Sequence, residues 1–340
     1  MVSAWQKLSV LIAGCGSIGK RHARVLARLG ITDLRACDPV REQRDALRAQ
    51  VPSVTLYDSF DAALRDAPNT VWICTPPELH VPMAMQAIRA GADVFCEKPL
   101  SDTLDGIEEL GALADAHNKR VMVGLCFRYH AGLCRAKQYL DERRIGRLVS
   151  VRALMGEHLP DVRPDYRHLF SAQRGGAFDL MHDIDLAIWY AGQRVRVVHA
   201  IAGTYSDIGI TAPDVAEILM GFEDRCVASV HLDFFQRPRR RQIELIGTAG
   251  VIIVEFARWE RCTVSTFQAE RDAWQVEEMA TERDDMFIAE DREFLQCVAE
   301  DRPIACTIAE ARQSLEVVVA AHDTHANVTP IARNCSTISR

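Results

Sequence analysis

The sequence predicts an α/β protein. A doubly wound parallel sheet leads, and an α+β domain with a large, mostly antiparallel, open-faced sheet follows. Three observations predict this. Over the first 124 residues short apolar runs alternate with helical stretches, the texture of a parallel sheet with helices on both faces. After about residue 147 strand-like runs follow one another directly, which suits antiparallel pairing with helices on one face. The 340 residues, 48% hydrophobic and 26% charged, have the length of about two domains and the profile of an ordinary globular protein. The expected division is 1–124, 125–330 and a loose tail at 331–340.

The elements follow in order. "LSVLIAG" is an apolar run ending in glycine, and a helix follows over about Ser17 to Leu29. "DLRACD" is a second strand with the solvated helix "PVREQRDALRAQ", and "SVTLYD" a third, followed by "SFDAALRD". "TVWICTPP" leads into "ELHVPMAMQAIRAG", "DVFCEKP" into "LDGIEELGALADAHN", and "RVMVGLCF" completes the set as a sixth strand. In the second half the strands are "LVSVRALMG", "RVVHAIAGTYSD", "DVAEILMGF", "CVASVHLDFF", "RQIELIGTAG" and "GVIIVEF". One helix interrupts them at 174–192, and two close the chain near 285–300 and 308–326.

A net charge of −7 and a pI near 5.9 argue against a nucleic-acid or anionic-membrane binder. No run approaches the ~18 apolar residues of a membrane span. The opening "MVSAWQKLSVLIAGCG" has no charged head or cleavage site and runs straight into a strand, so a cytoplasmic protein is expected. Eleven cysteines show no metal-ligand spacing, and several lie in apolar runs, where a free thiol behaves as a small hydrophobe. Lysine occurs only at Lys7, Lys20, Lys98, Lys119 and Lys137, among 40 basic residues. Lysine that persists in such a chain marks a place where arginine is a poor substitute.

"GCGSIGKRH" supplies Gly14, Gly16 and Gly19 as G-x-G-x-x-G between a strand and a helix. The spacing gives a tight turn, a close backbone approach to a pyrophosphate and close helix packing, with unpaired N–H groups facing the diphosphate. Ser17 and Ile18 lie inside that loop. Asp38 closes the second strand nineteen residues beyond Gly19, where a carboxylate accepts ribose hydroxyls and repels a 2′-phosphate. NAD is therefore expected, with Arg41 leaving room for NADP. Thr75, Pro76 and Pro77 stop the fourth strand where an open sheet binds its ligands. They suit a wall beside a ligand and a plain strand-ending turn equally.

The segment "RGGAFDLMHDIDLAIWYAG" is apolar on most of its helical faces yet carries three aspartates and a histidine. At 3.6 residues per turn Asp179, His182 and Asp183 share one sector, so the expectation is a buried helix presenting one polar stripe to a cleft. These residue types also suit a divalent metal.

"CEKPL" at 96–100, with the glycine motif, "TPPELH", "GLCFRYH" and "GG…DLMHDID", resembles the Gfo/Idh/MocA oxidoreductase family, in the right order over nearly the whole chain. The resemblance implies an N-terminal Rossmann domain and a C-terminal domain whose open sheet makes homodimer or homotetramer contacts. It also implies NAD(P)-dependent hydride transfer to or from a sugar, cyclitol or related polyol. Two other activities known among relatives are redox-neutral glycoside cleavage and non-catalytic ligand sensing. Lys98 matches the E-K-P lysine between nicotinamide and substrate, with a cis bond before Pro99. His182 matches the family histidine and Asp185 the aspartate three residues on.

Two departures are visible. The aspartate usually four residues before the histidine is Phe178 here, with Asp179 three before; and Cys126 stands where asparagine is common two residues before Arg128. With Lys98 supplying the electrophile, no metal is expected. Cofactor contacts are then expected from Gly14, Gly16, Ser17, Ile18, Gly19, Asp38, Thr75, Pro76, Pro77, His80, Glu97 and Lys98. Catalysis falls to Lys98, His182 and Asp179. A histidine titrates near neutrality when unperturbed, which suits a proton acceptor, acting alone or in a relay with Lys98. Sequence does not distinguish which of the two is the terminal base, and Asp179 or Asp183 is expected to hold the ring. Substrate contacts are assigned to Lys98, Arg128, Tyr166, Arg167, Asp179, His182 and Asp183. Tyr166 and Arg167 lie in "EHLPDVRPDYRHLFSAQR", either a covering loop or a solvated connector. "RPRRR" at 237–241 is read as an exposed strand turn.

Overall fold

The structure is a computed structural model and describes residues 3–163, 166–169 and 175–326. Strands β1 (Val10–Ala13), β2 (Leu34–Cys37), β3 (Thr55–Tyr57), β4 (Thr70–Ile73), β5 (Asp93–Glu97) and β6 (Val121–Gly124) form one parallel sheet in the order β3-β2-β1-β4-β5-β6. Helices α1 (Ser17–Arg28), α2 (Arg41–Gln50), α3 (Phe60–Leu64), α4 (His80–Arg89) and α5 (Ile107–Ala116) follow the first five strands in turn. Strands β1, β4 and β5 are buried at every residue, so they read as unbroken apolar runs rather than alternating ones. The order reverses between β1 and β4. A crevice opens there at the strands' carboxyl ends, and the glycine motif and "TPP" both lie at that edge.

Helix α6 (Ala131–Asp141) leads to β7 (Leu148–Gly156), two single turns α7 (Leu159–Val162) and α8 (Tyr166–Leu169), and α9 (His182–Ala191). Then come β8 (Val195–Gly203), β9 (Val215–Phe222), β10 (Val227–Asp233), β11 (Arg240–Gly247), β12 (Gly250–Glu255), β13 (Arg261–Gln268) and β14 (Ala273–Ala280). These eight strands form the second sheet, in the order β14-β13-β12-β11-β7-β10-β9-β8, with only β7 and β10 parallel. Its inner face carries Val151, Ile218, Val230, Ile243 and Val254 and packs beneath helices. The outer face leaves Val197, Ile201, Leu219 and Val227 about half exposed.

Helices α10 (Asp285–Ala299) and α11 (Ile308–Ala326) close the chain. Helix α10 was expected with the second domain, yet it packs on the first sheet: Phe294 meets Trp72 and Phe95 edge-on, with ring centroids 5.1 and 5.8 Å away. Five elements had no counterpart in the sequence reading, namely α6, β13, β14 and the single turns α7 and α8. Strand β14 is an exposed edge strand and shows no burial alternation to detect. The stretch 174–192 is not one helix either. A 3₁₀ turn over Gly176–Leu180 comes first, and α9 begins at His182. The tail at 331–340 and the stretches 164–165 and 170–174 lie outside the described residues. Among the described residues no helix is long and apolar enough to cross a membrane.

Candidate active site

The glycine turn is built as its spacing requires. Gly14 has φ +96°, and a Cβ there would stand 2.6 Å from the Cys74 carbonyl oxygen on the neighbouring strand. At Gly19 a Cβ would stand 1.9 Å from the Gly14 oxygen, so α1 lies directly on the turn. Nothing lies within 4 Å of a Cβ at Gly16, which caps α1 without any side-chain hydrogen bond. The first N–H groups of α1 thus face open space, the condition a diphosphate needs. Asp38 accepts the Cys15 N–H and the Val40 N–H, both at 2.8 Å, and stays partly exposed at the end of β2. Arg41 pairs instead with Asp45 at 3.5 Å on the exposed side of α2. These residues fit the dinucleotide that the motif predicts. Replacing Gly19 by Ala is expected to displace α1 from the turn and abolish the NADH fluorescence enhancement on titration; an unchanged titration would remove the turn from cofactor binding.

The Lys98–Pro99 bond is cis, as the resemblance implied. Lys98 Nζ donates to the main-chain oxygen of Asp179 at 3.1 Å and lies 3.5 Å from its carboxylate. An ammonium at the end of β5 therefore meets the turn leading into α9. The first residue of α9 is His182, whose Nε2 lies 4.0 Å from Cys126 Sγ and whose ring packs edge-on to Phe127 at 4.8 Å. Burial pushes the His182 pKa well below its usual value, and the nearby Lys98 and Arg241 cations push the same way. The imidazole is neutral, and its proton affinity is lower than the near-neutral one expected.

Several expected site residues are committed elsewhere. Asp183 does not hold the imidazole. It is fully buried and paired with Arg241, at 2.5 and 3.3 Å. Asp179 faces Lys98, so the sector shared in sequence splits three ways and offers no metal cage; among the described residues no other such cluster exists. Arg128 is buried in a two-pronged bond to Asp185, at 2.8 and 2.9 Å, and also reaches Glu310 at 2.6 Å. Ser314 adds a bond to Asp185 at 2.9 Å. A buried charge needs such a partner, so Arg128 ties α9 to α11 rather than turning to a ligand.

Tyr166 is buried and donates to the Ile208 carbonyl at 2.5 Å, with Arg167 on its hydroxyl at 3.1 Å. The pair docks the loop onto the segment after β8. His80 is buried with its two ring nitrogens 2.7 Å from the Pro99 oxygen and 2.8 Å from the Thr75 oxygen. It braces the two strand-end turns and keeps no free nitrogen for a cofactor. Glu97 is buried too, with both oxygens used inside the protein. Of the expected catalytic and substrate residues, Lys98, Asp179 and His182 come together at the cleft.

Arg241 was missed. Its guanidinium lies 3.9 Å over Phe127 and is 5% exposed, next to the imidazole. The signal was available: 241 has the same parity as the inward Ile243 and Leu245 on β11. The "RPRRR" run is therefore not simply an exposed turn. Arg239 is half-buried as well, paired with Glu157 at 3.0 Å and lying 4.8 Å over Trp259.

The oxidoreductase family with an NAD-binding Rossmann fold matches residues 8–125, and the GFO/IDH/MocA C-terminal domain matches residues 133–253. The chain belongs to the GFO/IDH/MocA oxidoreductase family. It is an NAD-binding oxidoreductase. A myo-inositol dehydrogenase, Hyg17 of Streptomyces leeuwenhoekii, is 27% identical over 228 residues, 66% of each chain. The chain spans 55–60% of the length of inositol 2-dehydrogenases from Ralstonia nicotianae and Saccharopolyspora erythraea. Among solved structures, GenD2 from gentamicin A biosynthesis, in complex with NAD, superposes with a TM-score of 0.80 at 25% identity, covering 94% of this chain and 95% of that one. Levoglucosan dehydrogenase with NADH and levoglucosan reaches 0.85 at 21% identity, covering 94% and 98% and sharing the fold.

Proposed function

We propose that this protein oxidises a secondary alcohol, or reduces the corresponding ketone, of a sugar, cyclitol or sugar derivative. The observation that carries the reading is the contact of Lys98, from the first sheet, with the Asp179 turn that delivers His182 from the second. When bound, the nicotinamide takes up or gives the hydride. The chain's own residues manage the proton and the charge. The Lys98 ammonium, held by Asp179, donates to the substrate oxygen and stabilises negative charge developing there. Neutral His182 accepts the hydroxyl proton from that oxygen in oxidation and returns it in reduction. Cys126 and Phe127 shield the ring from water on one side.

Gly14, Gly16, Ser17, Ile18 and Gly19 hold the diphosphate, Asp38 takes the adenosine ribose, and Thr75 to Pro77 wall the crevice. The half-exposed apolar residues on the outer face of the second sheet support assembly of copies of this chain through that face.

The test is NADH absorbance with inositols, aldoses, uronates and glycosides. Net NADH from an inositol or aldose supports the proposal. A glycoside cleaved without net NADH would make the protein redox-neutral, and NAD binding without turnover of any of them would make it a sensor. The neutral imidazole also has a pH consequence. Because His182 is held well below 6.5, kcat/KM for oxidation should stay level as pH falls through 6.5 and decline only further into acid. An acid limb centred at or above 6.5 would assign the proton to another group.

A further inference from the structure

The strand that carries Lys98 ends on a buried ionic chain that the proposed chemistry does not use. His22, on α1, is fully buried. Its Nδ1 lies 2.9 and 3.0 Å from the two carboxylate oxygens of Asp291 on α10, and its Nε2 lies 2.9 Å from Glu97 Oε1. A ring with carboxylates at both nitrogens donates from both, so it is an imidazolium; those carboxylates raise its pKa to about 10, against burial, which lowers it. Asp291 also accepts the Trp72 indole N–H at 3.1 Å. The other oxygen of Glu97 accepts the backbone N–H of Lys98 at 3.1 Å. Phe95 and Phe287 close edge-on around the imidazolium at 5.2 and 5.7 Å.

Next to Asp291, Glu290 is fully buried, and neither of its oxygens has a hydrogen-bond partner among the described residues. Burial and then the neighbouring Glu97 push its carboxyl well above the usual range, and neither oxygen reaches His22. The imidazolium therefore serves two carboxylates and no third. Each has one fixed orientation, and Glu97 passes its own on to the Lys98 backbone. All of these contacts lie within the protein, and they join three elements that are distant in sequence.

We propose that Asp291 and His22 are positioning residues: through Glu97 they fix the backbone of Lys98 and so aim its ammonium at the substrate oxygen. The inference rests on the reading of Lys98 as the group that meets that oxygen. A loss of aim has a distinct signature. Cofactor affinity and folding survive, while the step needing the ammonium slows.

The test uses the small number of lysines. Reductive ¹³C-methylation of the full chain labels five lysines and the N-terminus, and Lys98→Arg assigns the Lys98 signal. In Asp291→Asn the Lys98 methyl signal should shift or broaden while the other four lysine signals stay in place. At the same time kcat should fall roughly 10-fold or more, with the NADH dissociation constant within about 2-fold. Asp291→Glu should recover part of both. An unmoved Lys98 signal, or equal losses of NADH affinity and turnover, would overturn the proposal. If Asp291→Asn does not fold, His22→Gln takes its place with the same expected readouts; failure of both to fold assigns the cluster to folding alone and also overturns it. The methyl signal is read without substrate, so it stands apart from the proposed activity. A wild type that turns over nothing defeats the proposed function and leaves the linkage measurable, whereas an unmoved signal in an active enzyme defeats only the linkage.

Discussion

Replacing Lys98 by Met should abolish measurable turnover while leaving NADH binding nearly intact. The side chain keeps its length and apolar stem and loses only the ammonium, so the packing around the Asp179 turn is largely preserved. On the proposed mechanism its loss takes away the donor that meets negative charge at the substrate oxygen. Removing one such donor costs roughly 10²–10³ in rate. The bond to the Asp179 oxygen goes with it, and with that bond one tie between the two halves of the cleft. The upper end of the range, or beyond, is therefore expected. The measurement is steady-state NADH formation alongside NADH fluorescence titration. Full turnover in Lys98→Met would remove the residue from the mechanism, and loss of NADH binding in parallel with turnover would reassign it to the cofactor.

His182→Ala is the second large effect. A general acid–base contributes roughly 10²–10⁴ in rate, and that loss should fall on kcat with cofactor affinity unchanged. The ring is half-buried beside Phe127, and its removal leaves space for water, so a residual rate that rises with pH should remain as hydroxide or water takes the proton. Imidazole added to the Ala variant should restore part of the rate. If the loss appeared only in KM for the substrate, His182 would be a binding residue. The buried Asp183–Arg241 pair anchors the residue next to it, so the helix start should keep its place in this variant.

Much of this was legible in the chain itself. Strands β1, β4, β5 and β6 could be read because each is buried on both faces and so appears as an apolar run closed by a turn, whereas β2 and β3 were read from their place in the strand–helix alternation. Gly14, Gly16 and Gly19 were legible because their spacing is that of a turn which, at Gly14 and Gly19, leaves no room for a Cβ. Lys98 stood out by residue type and motif. Strand β14 was not legible, because its alternation is confined to Trp274 and Val276, both exposed on an edge strand, and the glutamates that follow break it. Helix α10 was legible as a helix but not as a partner of the first sheet: its apolar stripe says that it is covered and does not say by what.

The division of labour among the charged residues was less accessible still. Sequence spacing brings Asp179, His182, Asp183 and Asp185 close together, and resemblance marks Arg128. Yet which aspartate meets a cation inside the protein depends on the arginines opposite. Arg241 arrives from β11 and Arg128 from the turn after β6, and each claims one carboxylate completely. What remains for the cleft is Lys98, Asp179 and His182. His22 shows the same limit, since its second carboxylate comes from residue 291.

The sequence by itself determined the first sheet, six of the eight strands of the second, the dinucleotide turn and the lysine of the proposed site, because each depends on local periodicity or on a backbone geometry only certain residues permit. Only the tertiary structure decided which ionisable groups stay free to act and which are spent in buried pairs. That choice depends on desolvation, and desolvation is a property of what packs against a residue from distant parts of the chain.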